Sequence, residues 1–249
     1  MCRLSAITSN EYFSVMENIM ALETMKEGHD GSGLGVTLKD LGGEFKDLKE
    51  YPILSGICTR TGRQKLDEYM EARGFNVKFM WEPKITEHPG AKVQRHGQYL
   101  VTAYQFPDDC QDKSPAEKEE LLLRTRLELR RLGEEDGSLY VFSFWPDVIT
   151  LKEVGDPLEV GLFFGFDQKP LTAKTILAQG RQNTNYSIYL YACHPFFLQG
   201  YCTMTNGENT AFVPIRDFLL SRGFPGYCGY NSDSEVFCQI MHYTHKRLG

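Results

Sequence analysis

The chain has 249 residues, 41% of them apolar, a formal net charge of −6 and a pI near 5.6. A chain of this size buries a substantial core, as one large domain or as one domain carrying an insert. Its acidity argues against a nucleic-acid-binding or anionic-membrane-binding surface, and no apolar run approaches the roughly 18–20 residues that span a bilayer. The N-terminus shows no basic-then-apolar signal segment. The seven cysteines (Cys2, Cys58, Cys110, Cys193, Cys202, Cys228 and Cys238) are scattered, with no C-x-x-C pair. That pattern disfavours a zinc ribbon or an iron–sulfur cluster held by this chain alone, and fits thiols in a reducing cytoplasm.

In chain order, residues 2–8 read as a strand. Residues 11–26 read as a helix, with Phe13, Met16, Ile19, Met20 and Met25 at 3–4 spacing. A glycine-rich turn follows, Gly28-His29-Asp30-Gly31-Ser32-Gly33, and then a second strand over 34–38. This strand–helix–turn–strand opening is expected to return the turn close to Cys2. Residues 41–137 are more charged and less regular, and read as a variable insert within a single domain spanning 1–249. Inside the insert, Ser114-Pro115-Ala116-Glu117 forms a capping box with proline at the first helical position. The helix it starts runs through Leu121, Leu122, Thr125, Leu127 and Leu132 and stops at Gly133. Its many charges predict a solvated outer face. Beyond Gly137, short strands are predicted over 139–144, 148–152, 160–164, 186–192 and 200–204. Helices are predicted over 214–221 and 234–246, the latter capped by Ser232 or Asp233. Strands, a helix pair, then more strands and helices imply an α+β fold of layered sheets and helices.

Four short segments carry chemistry. Cys2 becomes the N-terminus if Met1 is removed, and one residue then holds both a thiol nucleophile and an α-amine. With a reference pKa of about 7.7–8, that amine can take the thiol proton near neutrality. Arg181-Gln182-Asn183-Thr184-Asn185 places a cation, a hydroxyl and amides where an α-carboxylate can be gripped. Without a ligand it is a polar loop before a strand. In Thr205-Asn206-Gly207-Glu208-Asn209-Thr210 an amide side chain precedes a glycine, which suits an oxyanion hole, although Asn-Gly is also a common turn. Asp233, in Tyr230-Asn231-Ser232-Asp233-Ser234-Glu235, can bind an ammonium group or simply cap a helix.

Taken in order, Cys2, the 29–35 turn, Arg181-x-x-Thr184-Asn185, His194-Pro195-Phe196, Asn206-Gly207-Glu208 and Ser232-Asp233-Ser234-Glu235 resemble the class II glutamine amidotransferases. These are N-terminal-nucleophile enzymes, and the wording is most similar to the amidotransferase part of glutamate synthase. The resemblance covers residues 2–38 and about 139–245 and leaves the insert unplaced. It implies a four-layer αββα sandwich. It also implies that Cys2 attacks the glutamine amide carbon, that Asn206 and Gly207 stabilise the oxyanion, that Arg181, Thr184 and Asn185 hold the α-carboxylate, and that Asp233 holds the α-ammonium. No cofactor is expected on this chain; FMN and iron–sulfur clusters are expected on a partner synthase subunit that receives the ammonia in the cytoplasm. Arg3, Gln182-Asn183, Thr205 and Asn209 depart from the family's usual residues. The chain also ends soon after Asp233, where the family usually continues, which implies a trimmed separate subunit or a fragment. The departures keep two alternatives open: a degenerate, non-catalytic amidotransferase-like subunit of a larger redox complex, and a free-standing hydrolase of γ-glutamyl or amide bonds.

Overall fold

A computed structural model describes residues 2–25, 27, 30–93, 97–182, 190–222 and 232–248. The chain opens with β1 (Arg3–Ser14), which continues past the predicted residue 8 to Ser14, with a register shift between Thr8 and Phe13. The helix α1 (Val15–Glu23) therefore starts later than predicted. Its start is set by a capping box: the Ser14 hydroxyl accepts from Met16 N, and the Glu17 carboxylate accepts from Ser14 N. Then come β2 (Leu34–Leu41), β3 (Pro52–Cys58), α2 (Arg60–Ala72), β4 (Asn76–Met80), β5 (Gln98–Gln105) and α3 (Pro115–Glu134). The capping box at Ser114 with Pro115 is present as predicted.

The second half contains β6 (Leu139–Pro146), β7 (Val148–Glu153), α4 (Pro157–Phe163), β8 (Thr172–Gly180), β9 (Phe196–Leu198), β10 (Tyr201–Thr203), α5 (Phe212–Ser221) and α6 (Glu235–Arg247). The apolar run 160–164, predicted as a strand, is largely helix α4. Asp156 accepts from Leu158 N and Glu159 N, and Pro157 occupies the first turn, so a local cap decides against β-propensity. Strand β8 was not predicted at all. Of the stretch predicted as a strand over 186–192, residues 190–192 form a 3₁₀ turn and the rest lies outside the described residues. Ser234 occupies the cap position of α6 without a side-chain cap bond, and Asp233 does not cap it either.

The fold is α+β, with six α-helices and antiparallel sheets among the described residues. One sheet has the order β1-β8-β2-β7, a second β4-β5-β3-β6, and β9-β10 form a two-stranded ribbon. Residues 41–137 supply β3, α2, β4, β5 and α3, and β3 pairs with β6, which lies beyond that stretch. The second sheet is thus shared between the stretch and the chain that follows it.

Four apolar clusters bind the elements among the described residues, the smallest around Ile57, Tyr140, Phe142, Val154 and Leu190. The first joins Val15, Ile19 and Leu22 of α1 to Val36, Leu38, Ile149, Leu151, Ile176 and Ala178 of the first sheet, and reaches Ile53 and Val101 of the second. Another packs Leu66 and Met70 of α2 and Leu122 and Leu129 of α3 on Leu54, Leu100 and Phe144. The third ties α3, β9, α5 and α6 through Leu123, Phe196, Leu198, Leu219 and Val236. The charges of α3 were predicted to form a solvated face, but Arg126 and Arg130 are buried. Arg126 donates to Phe142 O at 2.9 Å, and Arg130 grips Glu235 with bonds of 2.9 and 3.3 Å.

Candidate active site

The antiparallel register of the first sheet brings distant residues to one end. Arg3 pairs with Gly180, Gly180 with Leu34, and Leu34 with Glu153, so these four residues form one row across the sheet. Cys2, one residue before β1, therefore lies beside Arg181, one residue after β8. The half-buried Cys2 thiol sits 3.7 Å from Gln182 O, and Gln182 N donates to its sulfur at 3.5 Å. On the other side of β8, Arg181 N donates to Gly33 O at 2.7 Å, which places the glycine-rich turn in the same corner. The Arg3 guanidinium bonds the carbonyls of Met25 and Glu27 and fastens the chain that follows α1 to the strand that Cys2 precedes.

The segment 193–195 crosses this sheet next to β2. A Cβ on Gly35 would lie 1.8 Å from His194 O, so only glycine permits so close a crossing. That closeness lets Gln179, which pairs with Gly35 in the sheet, reach out of β8. Its Oε1 accepts from His194 N at 2.8 Å and its Nε2 donates to Thr205 O at 3.1 Å. Thr205 N in turn donates to His194 Nδ1 at 3.0 Å. An imidazole that accepts at Nδ1 carries its proton on Nε2. Burial, reinforced by the positive charges of Lys152 and Arg181, pushes His194 down to about 3 and keeps it neutral.

Asn206 and Gly207 follow directly and are exposed. Gly207 has φ +127°, and no described atom lies within 4 Å of where its Cβ would be, so glycine is required there by conformation and not by crowding. The far side of the turn is fixed by Asp233. Asn209 N donates to Asp233 Oδ2 at 2.8 Å, Asn209 Nδ2 to Asp233 O at 2.9 Å, and Ser234 Oγ to Asp233 Oδ1 at 3.0 Å. Thr205 Oγ1 completes the tie by donating to Ser234 Oγ at 2.8 Å. Among the described residues, each carboxylate oxygen of Asp233 accepts one such bond.

Of the residues singled out by sequence, Cys2 and Arg181 meet at the sheet end. Asn206 and Gly207 lie in the adjoining turn, Asp233 is bonded to Asn209 just beyond them, and Gln179 links that turn to the sheet through Thr205. Thr184 and Asn185 lie outside the described residues, as do His29, Tyr230, Asn231 and Cys228. Gln179 escaped the sequence reading because its strand was not foreseen, and its complete burial shows only in the folded chain.

Deeper in the same region, burial lowers Lys152 to about 8 and raises Cys193 to about 11. The Lys152 ammonium stands 4.3 Å over the Phe196 ring and donates to Tyr191 O at 3.3 Å. A cleft of about 300 Å³ bordered by Arg63, Trp81 and Tyr99 lies elsewhere, on the second sheet. Among the described residues no three His, Cys, Asp or Glu side chains cluster as a metal site, and no helix is long and apolar enough to cross a membrane. No protein-family model matches the chain, and no curated protein matches it significantly.

Proposed function

We propose that the chain is a class II glutamine amidotransferase: a cytoplasmic glutaminase subunit, similar to the amidotransferase part of glutamate synthase, that hydrolyses glutamine and passes ammonia to a partner. On this reading the antiparallel sheets and their flanking helices are the layers of a four-layer αββα sandwich. The observation that carries the proposal is the sheet register. It sets a half-buried Cys2 against Arg181, and Gln179 of the adjoining strand β8 bonds Thr205 O at the start of the Asn206-Gly207 turn.

In the proposed reaction, removal of Met1 frees the Cys2 α-amine. That amine takes the thiol proton, and the sulfur attacks the side-chain amide carbon of glutamine. Asn206 Nδ2 and Gly207 N–H stabilise the oxyanion, each donor being worth about 10²–10³ in rate. The ammonium transfers its proton to the departing nitrogen, the C–N bond breaks, and ammonia leaves a thioester. Water adds to the thioester carbonyl, the C–S bond breaks, and glutamate and free Cys2 are regenerated. Arg181, with Thr184 and Asn185, holds the substrate α-carboxylate, and Asp233 holds the α-ammonium. FMN and iron–sulfur chemistry belongs to the partner synthase subunit.

Glutamine-dependent ammonia release by the purified chain, alone and with co-purifying polypeptides, tests the proposal. Activity lost in Cys2→Ala, with the fold retained, supports it. A tight complex whose ammonia transfer is unchanged by Cys2→Ala favours the degenerate structural subunit. Full turnover by a lone monomer favours a free-standing hydrolase.

A further inference from the structure

We infer that Gln179 and His194 are positioning residues that set the oxyanion donors relative to Cys2; this rests on the glutaminase reading. A single peptide plane contains Thr205 C=O and Asn206 N–H, and the preceding plane contains Thr205 N–H. Gln179 Nε2 holds the first plane through Thr205 O, and His194 Nδ1 holds the second through Thr205 N. Both planes flanking Thr205 are therefore fixed before the chain enters Asn206-Gly207.

The two holders are themselves locked together, because His194 N donates to Gln179 Oε1 at 2.8 Å. This bond also fixes which way the Gln179 amide faces: its oxygen must point to His194 N and its nitrogen to Thr205 O. Gln179 is fully buried and His194 is 7% exposed, so water does not compete well for these bonds.

The anchor point gives the arrangement its use. Gln179 immediately precedes Gly180, the residue paired with Arg3 next to Cys2. The nucleophile and the oxyanion turn thus hang from the same two residues of β8, through a strand ladder on one side and a side-chain amide on the other. Loss of the amide leaves the ladder and Cys2 in place but lets the turn drift. A misplacement of about 1 Å at a reacting centre can cost about 10²-fold in rate.

The test uses the full chain under conditions in which the wild type releases ammonia from glutamine. Gln179→Met, close in shape, should lower kcat about 100-fold with KM for glutamine within about threefold. Alkylation of Cys2 by iodoacetamide passes through no oxyanion and should stay at the wild-type rate, while amide hydrogen exchange over 205–209 should quicken. His194→Asn offers Oδ1 in place of Nδ1 as acceptor and should keep kcat within about tenfold of wild type, whereas His194→Leu should fall with Gln179→Met. Wild-type kcat in Gln179→Met overturns the positioning role alone. So does a loss shared equally by iodoacetamide alkylation and by exchange across the whole chain, and so does an equal loss in His194→Asn and His194→Leu. A wild-type chain that releases no ammonia from glutamine either alone or with its co-purifying polypeptides overturns the glutaminase reading and the positioning role with it.

Discussion

Replacing Arg130 by Met removes a bidentate partner from a buried carboxylate. Arg130 lies on α3 and Glu235 is the first residue of α6; their side chains are 4% and 5% exposed, and two parallel N–H···O bonds join them. Breaking a buried pair on one side costs about 3–5 kcal/mol, because the surviving charge stays buried. An exposed pair such as Arg63–Asp67 is worth about 0–1 kcal/mol. At about 2–4 °C per kcal/mol for a chain of 150–250 residues, Arg130→Met should lower Tm by about 6–20 °C. Urea unfolding should show a lower midpoint with an unchanged slope. The double variant Arg130→Met/Glu235→Leu should recover most of the loss, since neither charge remains to be desolvated. Asp233 stands two residues before Glu235, so the single variant should also raise KM for glutamine. The reasoning is refuted if Arg130→Met unfolds within about 1 kcal/mol of wild type, or if the double variant is no more stable than the single one.

The chemistry at Cys2 makes a second prediction: active preparations should lack Met1 by intact mass, and a diazo-ketone analogue of glutamine should label Cys2 in competition with glutamine. Cys58, Cys193 and Cys202, each pushed up to about 11 mainly by burial, should stay unlabelled. Label spread over these thiols, or insensitive to glutamine, would contradict a formed pocket. Lys152 offers a test by pH. Its ammonium is lowered from 10.5 to about 8, so between these values the unfolded chain binds the proton and the folded chain does not, and stability rises as pH climbs through that window. Below about 8 the buried charge costs about 3 kcal/mol, so Lys152→Met should be more stable than wild type at pH 7 and should lose the advantage towards pH 10.5. Parallel stability-versus-pH curves for the two proteins would show that Lys152 is not desolvated as the fold implies.

What the sequence determined by itself is local. Ser114, Pro115 and Glu117 start α3 because cap and capped amides lie within four residues of one another. The strands near 139–144 and 148–152 follow from short apolar runs flanked by turn residues. The candidate site residues Cys2, Arg181, Asn206, Gly207 and Asp233 could be named from their types and order alone. Tertiary structure decided everything whose partner lies far along the chain. Strand β8 escaped notice because Thr172, Lys174, Thr175 and Gln179 interrupt its apolar pattern, and only neighbours on β1 and β2 make it the second strand of its sheet. Arg126 and Arg130 read as solvated charges until Phe142 and Glu235, 16 and 105 positions away, satisfy them in the interior. The site itself depends on register: Cys2 faces Arg181 because Arg3 pairs with Gly180, and a slip of one residue would turn every side chain of β1 to the opposite face. The Asn206-Gly207 turn is held to that sheet end through Gln179 and His194, whose hydrogen bonds close only when residues 179, 194 and 205 are brought together. A buried polar group is paid for by its partner, and here those partners come from distant parts of the chain.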